Sequence, residues 1–175
     1  MADVLFGDIF KYARTWEFVM ILGYTCGVYD LFHIGHLNLL KNAKGLCDKL
    51  IVGVSVDKLV RYKFKTAVIP FEERIEIIRN IKFVDSAIPQ EDIDKYKMWE
   101  KLHFDVLFVG DDWFETPSWK EMEVKFKKVG VRVVYFPYTK GTSSTILSQT
   151  LQNLRKNIVN KNNSTDSCDV IGGGI

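Results

Sequence analysis

The chain has 175 residues, of which 47% are hydrophobic and 13% aromatic, as is typical of a globular protein with a buried core. Its net charge of +2 is too small to indicate nucleic-acid binding by itself, and no apolar run approaches the roughly 20 residues that span a membrane. The first 18 residues carry charged side chains without the apolar core of an export signal, and the three cysteines show no pairing pattern, which favours a reducing, cytoplasmic setting.

The first predicted element is a buried strand over the apolar run from Phe18 to Leu22. It leads into a tight turn that contains Gly27, and the turn leads directly into a helix. The helix is predicted from apolar residues at helical spacing, namely Leu37, Leu39, Leu40 and Ala43. The amino end of this helix therefore lies at the carboxyl end of a strand, where unpaired backbone N–H groups and the helix dipole can bind an anion.

The turn and the start of the helix contain two of the chain's three histidines, His33 and His36. Because they are three residues apart, both can face one point in front of the helix. Gly35 between them lets a phosphate approach the backbone. A single histidine here would more often be a helix cap, but strand, glycine turn, Asp30, His-x-Gly-His and helix together predict a phosphate-binding site. A zinc site is not expected, because the cysteines are not spaced to supply further ligands.

Strands and helices alternate along the rest of the chain. Four further strands are predicted, over residues 49–56, 83–88, 104–109 and 131–136. Four further helices are predicted, over residues 71–81, 92–102, 118–128 and from Ser143 or Ser144 to about Lys156. We expect Pro89 to close the third strand, and we expect Ser118 and Gly130 to cap and close the helix over 118–128.

This alternation predicts an α/β fold, a doubly wound sheet of five parallel strands with helices on both faces. In such sheets ligands bind at the carboxyl ends of the strands, where the strand order reverses. The polar segments that follow the predicted strands are residues 27–36, 57–65, 110–113 and 138–145. We therefore expect these segments to cluster at one crevice.

A single globular domain is expected to span residues 18–157. Residues 1–17 precede it as an N-terminal extension to which the sequence assigns no role. Residues 158–175 are polar, rich in Asn, Ser and Gly, and are expected to form a mobile tail.

The pattern Gly27-x-x-Asp30-x-x-His33-x-Gly35-His36 resembles that of the cytidylyltransferase branch of the His-x-Gly-His nucleotidyltransferases. The resemblance runs from about residue 21 to residue 151 and fits the glycerol-3-phosphate cytidylyltransferases best. It continues through five downstream segments, residues 63–65, 71–74, 83–85, 109–113 and 141–145.

The resemblance implies a Rossmann-like nucleotidyltransferase fold and a reaction in which CMP passes from CTP to a small phosphorylated alcohol. Glycerol 3-phosphate is the first candidate acceptor, and the products are pyrophosphate and a CDP-alcohol. Mg²⁺ is expected with the CTP, held mostly by phosphate oxygens and water rather than by a dedicated set of protein ligands. The resemblance also implies a homodimer, with no membrane span and no nucleic-acid partner.

The resemblance assigns roles to residues at matching positions. Those expected to be catalytic are His33, His36, Lys63, Ser143 and Ser144. Those expected to bind the nucleotide are Gly27, Val28, Gly35, Asp112, Trp113, Tyr138, Thr139, Gly141 and Thr145. Those expected on the acceptor side are Asp30, Lys65, Arg74 and Lys82. Of these, Arg74 can grip a phosphate bidentately, whereas Asp30 is better suited to bracing the loop.

Two positions after the fifth strand depart from the family pattern. Tyr138 stands where the resembled enzymes usually carry an arginine, and Lys140 stands where they carry an acidic residue. A phenol can stack on a base but cannot neutralise a phosphate, so CTP affinity is expected to depend more on Lys140. Val28 and Lys82 also differ from the glycerol-3-phosphate pattern, which leaves the acceptor the most open part of the assignment.

Several alternatives remain open. Choline phosphate, ethanolamine phosphate or another phosphate ester is an alternative acceptor, and an adenylyltransferase of the same fold is an alternative enzyme. A catalytically silent nucleotide-binding module, in which Tyr138 marks a lost active site, is a third. A class I aminoacyl-tRNA synthetase shares the His-Ile-Gly-His string, but this chain is too short for one and has no Lys-Met-Ser-Lys-Ser run.

Overall fold

The computed structural model describes residues 20–62, 66–111 and 116–165. The strands in these ranges are β1 (Leu22–Gly27), β2 (Lys49–Ser55), β3 (Ser86–Gln90), β4 (Val106–Gly110) and β5 (Arg132–Phe136). The helices are α1 (Ile34–Lys44), α2 (Asp57–Tyr62), α3 (Phe71–Arg79), α4 (Lys95–Leu102), α5 (Pro117–Lys128) and α6 (Ser144–Thr165). All five strands are parallel, in the order β3-β2-β1-β4-β5, so the predicted sheet is confirmed.

Helices cover both faces of the sheet. On one face, α1 and α3 pack on β2 through a buried apolar cluster that includes Leu40, Ala43, Val52, Ile75 and Ile78. On the other face, α4 and α5 form a second cluster that includes Tyr24, Met98, Leu107, Trp119 and Phe126. Because side chains alternate along a strand, β4 contributes to both clusters.

The strand order reverses between β1 and β4. The chain builds β1, β2 and β3 outward in one direction, then returns to place β4 and β5 on the other side of β1. A crevice opens at such a reversal, outside the carboxyl ends of the two central strands. The loop after β1 therefore lies at the position where an open α/β sheet binds its ligand.

The central strand begins later in the chain than the apolar run predicts. β1 covers Leu22–Gly27 rather than the run from Phe18, and the first two residues of that run lie outside the described ranges. Tyr24 and Thr25, which the sequence places in the turn, are buried and pair with both β2 and β4. The Tyr24 hydroxyl donates to Oε1 of Gln90, so this buried hydroxyl has a hydrogen-bond partner.

The prediction that Pro89 closes the third strand is wrong, because Pro89 lies within that strand. β3 runs through Pro89 to Gln90 and forms one edge of the sheet. The Gln90 carbonyl accepts from the Val56 N–H at 3.1 Å, so Gln90 faces β2 and the preceding residue faces outward. The missing N–H of Pro89 therefore lies on the unpaired side, where an edge strand tolerates proline.

The helices in the described ranges agree only in part with those predicted. α5 is preceded by Thr116 and begins at Pro117, so Ser118 is not its cap; a proline at the first helical position gives up an N–H that has no helical partner. α2, which the sequence did not predict, follows β2 directly. Ser143 does cap the last helix, because its Oγ accepts from the Ile146 N–H at 3.2 Å.

The last helix, α6, extends to Thr165, beyond the predicted end near Lys156. Residues 158–165, predicted as the start of a mobile tail, are therefore helical. The side chains of residues 151–158 are exposed. No helix in the described ranges is both long and apolar enough to cross a membrane.

Candidate functional site

His33 caps the first helix with its own side chain. Its backbone is extended, and its Nδ1 accepts a hydrogen bond from the Gly35 N–H at 3.0 Å. A neutral imidazole that accepts at Nδ1 carries its proton on Nε2. Burial also lowers the pKa of His33, which favours this neutral form. His33 is therefore a neutral ring with its N–H donor on Nε2.

His36 lies one turn into α1, among three other rings. The centroid of its imidazole lies 4.0 Å from that of His33, 5.2 Å from that of Tyr29 and 5.5 Å from that of Phe32. Burial, and then the neighbouring His33, lower the pKa of His36 to about 4, against an opposing effect of Asp30. His36 is therefore neutral at pH 7.

The tautomer of His36 follows from the surroundings of Nδ1. This atom is buried and has no hydrogen-bond partner among the described residues. A buried N–H without a partner is rarer and more costly than an unshared lone pair. We infer that Nε2 carries the proton, so both histidines can donate from Nε2, as hydrogen-bond donors for anionic oxygens require.

The loop between β1 and α1 has a strained backbone that other segments hold in place. Tyr29 and Leu31 both have positive φ, 55° and 47°, in the left-handed region that residues other than glycine rarely adopt. Asp30 lies between them, and its carboxylate accepts from the backbone N–H groups of Val68 and Ile69 at 2.8 and 2.9 Å. Asp30 thus braces the loop rather than presenting a free carboxylate to a substrate.

Gly35 is required by its neighbours as well as by any phosphate. A Cβ at this position would lie 2.8 Å from Cε1 of His33 and 3.6 Å from Cβ of Thr139. A side chain here would push the His33 ring out of its capping position. At the end of β1, a Cβ on Gly27 would lie 3.2 Å from the ring of Tyr29.

The segment from Tyr138 to Thr145, called the second loop below, meets the histidine loop. Oγ of Ser144 donates to the backbone carbonyl of Asp30 at 2.7 Å, and Nδ2 of Asn38 donates to Oγ1 of Thr139 at 3.3 Å. These contacts bring Ser143, Ser144, Thr139 and Gly141 to the mouth of the crevice, as the sequence analysis expects. Tyr138 is 57% exposed there, so its ring is open to solvent and to a ligand.

Arg74 is fully buried, and protein atoms take up its donors. Nε donates to the Ile69 carbonyl at 2.9 Å, and Nη1 donates to the carbonyls of Val28 and Ser55. Nη2 forms an ion pair with Asp57 at 2.6 Å. This geometry offers no guanidinium edge to an acceptor phosphate, in contrast to the expectation from the sequence. Arg74 instead ties the histidine loop to the end of β2 and to α2.

Lys82 lies far from the crevice within one chain. It follows α3 and precedes β3, so it sits at the amino edge of a parallel sheet whose site is at the carboxyl edge. Its Nζ lies 5.1 Å from the centroid of the Phe83 ring. The acceptor-binding role expected for Lys82 is therefore not supported by its position. The side chains of Lys63, Lys65, Asp112 and Trp113 lie outside the described residues, so their roles stay predictions.

Asn38 is the site residue that sequence reasoning missed. It stands between Leu37 and Leu39 on a helix whose apolar spacing drew attention to the leucines alone. The signal that could have found it is a polar residue among the apolar residues of this helix, about one turn after His33. In the described ranges, no group of three or more His, Cys, Asp or Glu side chains is arranged to hold a metal ion.

Comparison with known proteins places the chain in a family. A model of the cytidylyltransferase-like family matches residues 24–165. Glycerol-3-phosphate cytidylyltransferase of Bacillus subtilis is 37% identical over 131 residues, which are 74% of this chain and 96% of that protein. The enzyme of the same name from Staphylococcus aureus is 36% identical over 128 residues, 73% of this chain and 92% of that protein. An FAD synthase from Archaeoglobus fulgidus is 36% identical over 108 residues, 62% of this chain and 78% of that protein.

Solved structures share the architecture. A lipopolysaccharide core biosynthesis protein from Thermoplasma volcanium matches with a TM-score of 0.59 and 30% identity, over 70% of this chain and 99% of that one. A pantoate-beta-alanine ligase from Francisella tularensis matches with a TM-score of 0.54 over 70% of this chain and 60% of that one, and its 16% identity makes this a likeness of fold alone. From the family match over most of its length, the chain belongs to the cytidylyltransferase-like family and is a nucleotidyltransferase.

Proposed function

We propose that the protein is a CTP-dependent cytidylyltransferase whose acceptor is a small phosphorylated alcohol, with glycerol 3-phosphate the first candidate. An oxygen of the acceptor phosphate forms a bond to the α-phosphorus of CTP, the bond from that phosphorus to the β-phosphate oxygen breaks, and pyrophosphate leaves. The observation that carries the proposal is the stacked pair of neutral imidazoles, His33 and His36, beneath the hydroxyl-bearing second loop. Relatives that match over nearly their whole length support the choice of CTP.

The donors at this site suit a transferring phosphoryl group. Two Nε2–H groups, the amino ends of α1 and α6, and the hydroxyls of Thr139 and Ser143 can all stabilise negative charge that builds on phosphate oxygens, whereas the Ser144 hydroxyl donates to the Asp30 carbonyl. An ionised acceptor phosphate needs no general base, so neutral histidines that act as donors are sufficient. Catalysis then consists of alignment and electrostatic stabilisation.

The described part of the site offers few ligands for the expected Mg²⁺. Imidazole N–H groups and hydroxyls hold phosphate oxygens, while the carboxylate of Asp30 is engaged by backbone N–H groups. The ion would therefore be held by the triphosphate and water, and it would neutralise charge on the nucleotide.

On the acceptor side, we propose that Lys63 and Lys65 bind the acceptor phosphate and that Asp30 and Arg74 act indirectly. The segment from Thr66 to Pro70 follows the two lysines in the chain. Asp30 binds two of its N–H groups, and Arg74 binds its Ile69 carbonyl. These contacts hold the backbone that follows the two lysines in the chain, which is how they would influence the acceptor.

An adenylyltransferase is the second candidate, because FAD synthases are also among the relatives at 36% identity. The two functions are separated by measuring pyrophosphate release with each of CTP, ATP, GTP and UTP, crossed against glycerol 3-phosphate, choline phosphate, ethanolamine phosphate and FMN. The proposal expects CTP with glycerol 3-phosphate to be the best pair.

Each other result of this panel has a definite meaning. ATP exceeding CTP with every acceptor contradicts the base assignment, and a better phosphate ester than glycerol 3-phosphate contradicts the acceptor alone. Nucleotide binding without pyrophosphate release from any pair supports the silent module.

We also propose, from the resemblance, that the enzyme is a cytoplasmic homodimer. The chain mass of 20.2 kDa then gives a solution mass of about 40 kDa. Light scattering at micromolar concentration measures this mass, and a value near that of one chain contradicts the dimer.

A further inference from the structure

The second loop is attached to the histidine loop and its helix at two points. Near its start, Nδ2 of Asn38 on α1 donates to Oγ1 of Thr139. At the start of α6, Oγ of Ser144 donates to the Asp30 carbonyl. Between these points, Gly141 has a φ of 104°, and a Cβ built on it meets no atom within 4 Å. The loop therefore has open space around Gly141, between its two attachments.

The contact from Asn38 also makes Oγ1 of Thr139 a hydrogen-bond acceptor. A side-chain amide nitrogen can only donate, so Oγ1 accepts in this contact and its own O–H stays available for another acceptor. Thr139 lies over Gly35, with its Cβ 3.6 Å from a Cβ built there, beside the ring of His33. A phosphate oxygen in front of α1 is the kind of acceptor that this hydroxyl is free to meet.

We propose that Asn38 is a positioning residue for the nucleotide, which holds the second loop over the histidine pair through Thr139. The inference rests on the proposed function, because it assumes that the second loop binds the triphosphate. Asn38 itself does not touch the nucleotide. Without it, the loop has one attachment fewer and CTP must order the loop as it binds, which weakens nucleotide affinity without changing acceptor affinity.

Hydrogen exchange tests the attachment without any substrate. Backbone amides of residues 138–143 in Asn38→Leu, which removes the amide from a similar side chain, are expected to exchange faster than in the wild type. Asn42→Leu is the matched control, because Asn42 is exposed on the same helix one turn later. Asn38→Ala, which adds no volume, serves where leucine does not fit. Unchanged exchange in both Asn38 variants overturns the proposal.

Kinetics test the consequence for the nucleotide. In Asn38→Leu the KM for CTP is expected to rise about three- to tenfold, the range that one net hydrogen bond represents, with the acceptor KM unchanged. Thr139→Val removes the hydroxyl, so adding Asn38→Leu to it should have no further effect, whereas Thr139→Ser keeps the hydroxyl and should keep sensitivity to Asn38. Additive effects in the double variant, or an equal rise in the acceptor KM, overturn the proposal.

The two assays also separate this inference from the proposed function. If the wild type releases no pyrophosphate with any pair, the proposed function fails, and the dissociation constant for CTP from calorimetry replaces KM. Faster loop exchange with weaker CTP binding then still supports the role of Asn38. Faster exchange with unchanged CTP affinity overturns it.

Discussion

Replacing Arg74 with methionine tests whether this residue is structural or binds the acceptor. Methionine keeps the apolar stem and ends where Nε of the arginine lies, so the variant loses the guanidinium. It leaves the carboxylate of Asp57 and the carbonyls of Val28, Ser55 and Ile69 without the donors they have in the wild type. Breaking a buried ion pair costs about 3–5 kcal/mol. The Asp57 side chain is 40% exposed and can be hydrated, so the low end of that range applies.

We therefore expect the free energy of unfolding to fall by about 3 kcal/mol in Arg74→Met, out of the roughly 5–15 kcal/mol typical of a domain. Urea unfolding followed by tryptophan fluorescence measures this as a midpoint lower by about 1.5 M, for a slope of about 2 kcal/mol per molar. The control is Arg79→Met on the same helix. Arg79 is 52% exposed and pairs with Glu76 at 3.4 Å, so its loss should change the free energy by less than about 0.5 kcal/mol.

One combination of results would refute this reasoning. If Arg74→Met unfolds within about 1 kcal/mol of the wild type and its acceptor KM rises sharply, the guanidinium is not engaged by protein atoms in solution. Arg74 would then contact the acceptor phosphate directly, as the sequence analysis expects.

Three further predictions concern the histidine pair and the second loop. His36→Ala should lower kcat at least about 10²-fold with the fold intact, because it removes one preorganised donor, whereas His103→Ala, at the amino edge of the sheet, should leave kcat unchanged in the same pyrophosphate assay. Because the pKa of His36 falls to about 4 from an unfolded value near 6.5, the unfolded chain binds this proton first. The contribution of neutral His36 to the free energy of unfolding is therefore complete above pH 6.5 and is lost as pH falls through 4, by roughly 3 kcal/mol. Urea titrations should show the free energy of unfolding falling more steeply in the wild type than in His36→Ala over that pH range. Tyr138→Arg should lower the KM for CTP and Lys140→Ala should raise it, and unchanged values in both would mean that the second loop lies away from the nucleotide.

The meeting of the histidine loop and the second loop was predictable from the sequence. Alternating strands and helices imply a parallel sheet, and a parallel sheet brings the segments after all its strands to one edge. The contacts from Thr139 and Ser144 to the histidine loop and its helix are a consequence of that geometry, although the two segments are more than 100 residues apart.

The role of Arg74 was not predictable in this way. Its acceptors come from four places in the chain, and an arginine at a helix start has the same local sequence whether its guanidinium meets a phosphate or a set of carbonyls. The protonation of His36 likewise depends on rings from the strained loop that only the folded backbone brings together. The position of Lys82 was available from topology, since a residue between a helix and the following strand of a parallel sheet lies at the edge opposite the ligand.

The outward side of β3 affects how the protein behaves at high concentration. Protein molecules can aggregate when a strand of one molecule pairs with the free N–H and C=O groups along an edge strand of another. The residues of β3 that face away from β2 are Ala87 and Pro89, and only Ala87 supplies an N–H. An incoming strand thus finds a single donor along β3. We therefore expect Pro89 to disfavour strand addition at this end of the sheet, and we expect Pro89→Val to make the protein more prone to aggregate.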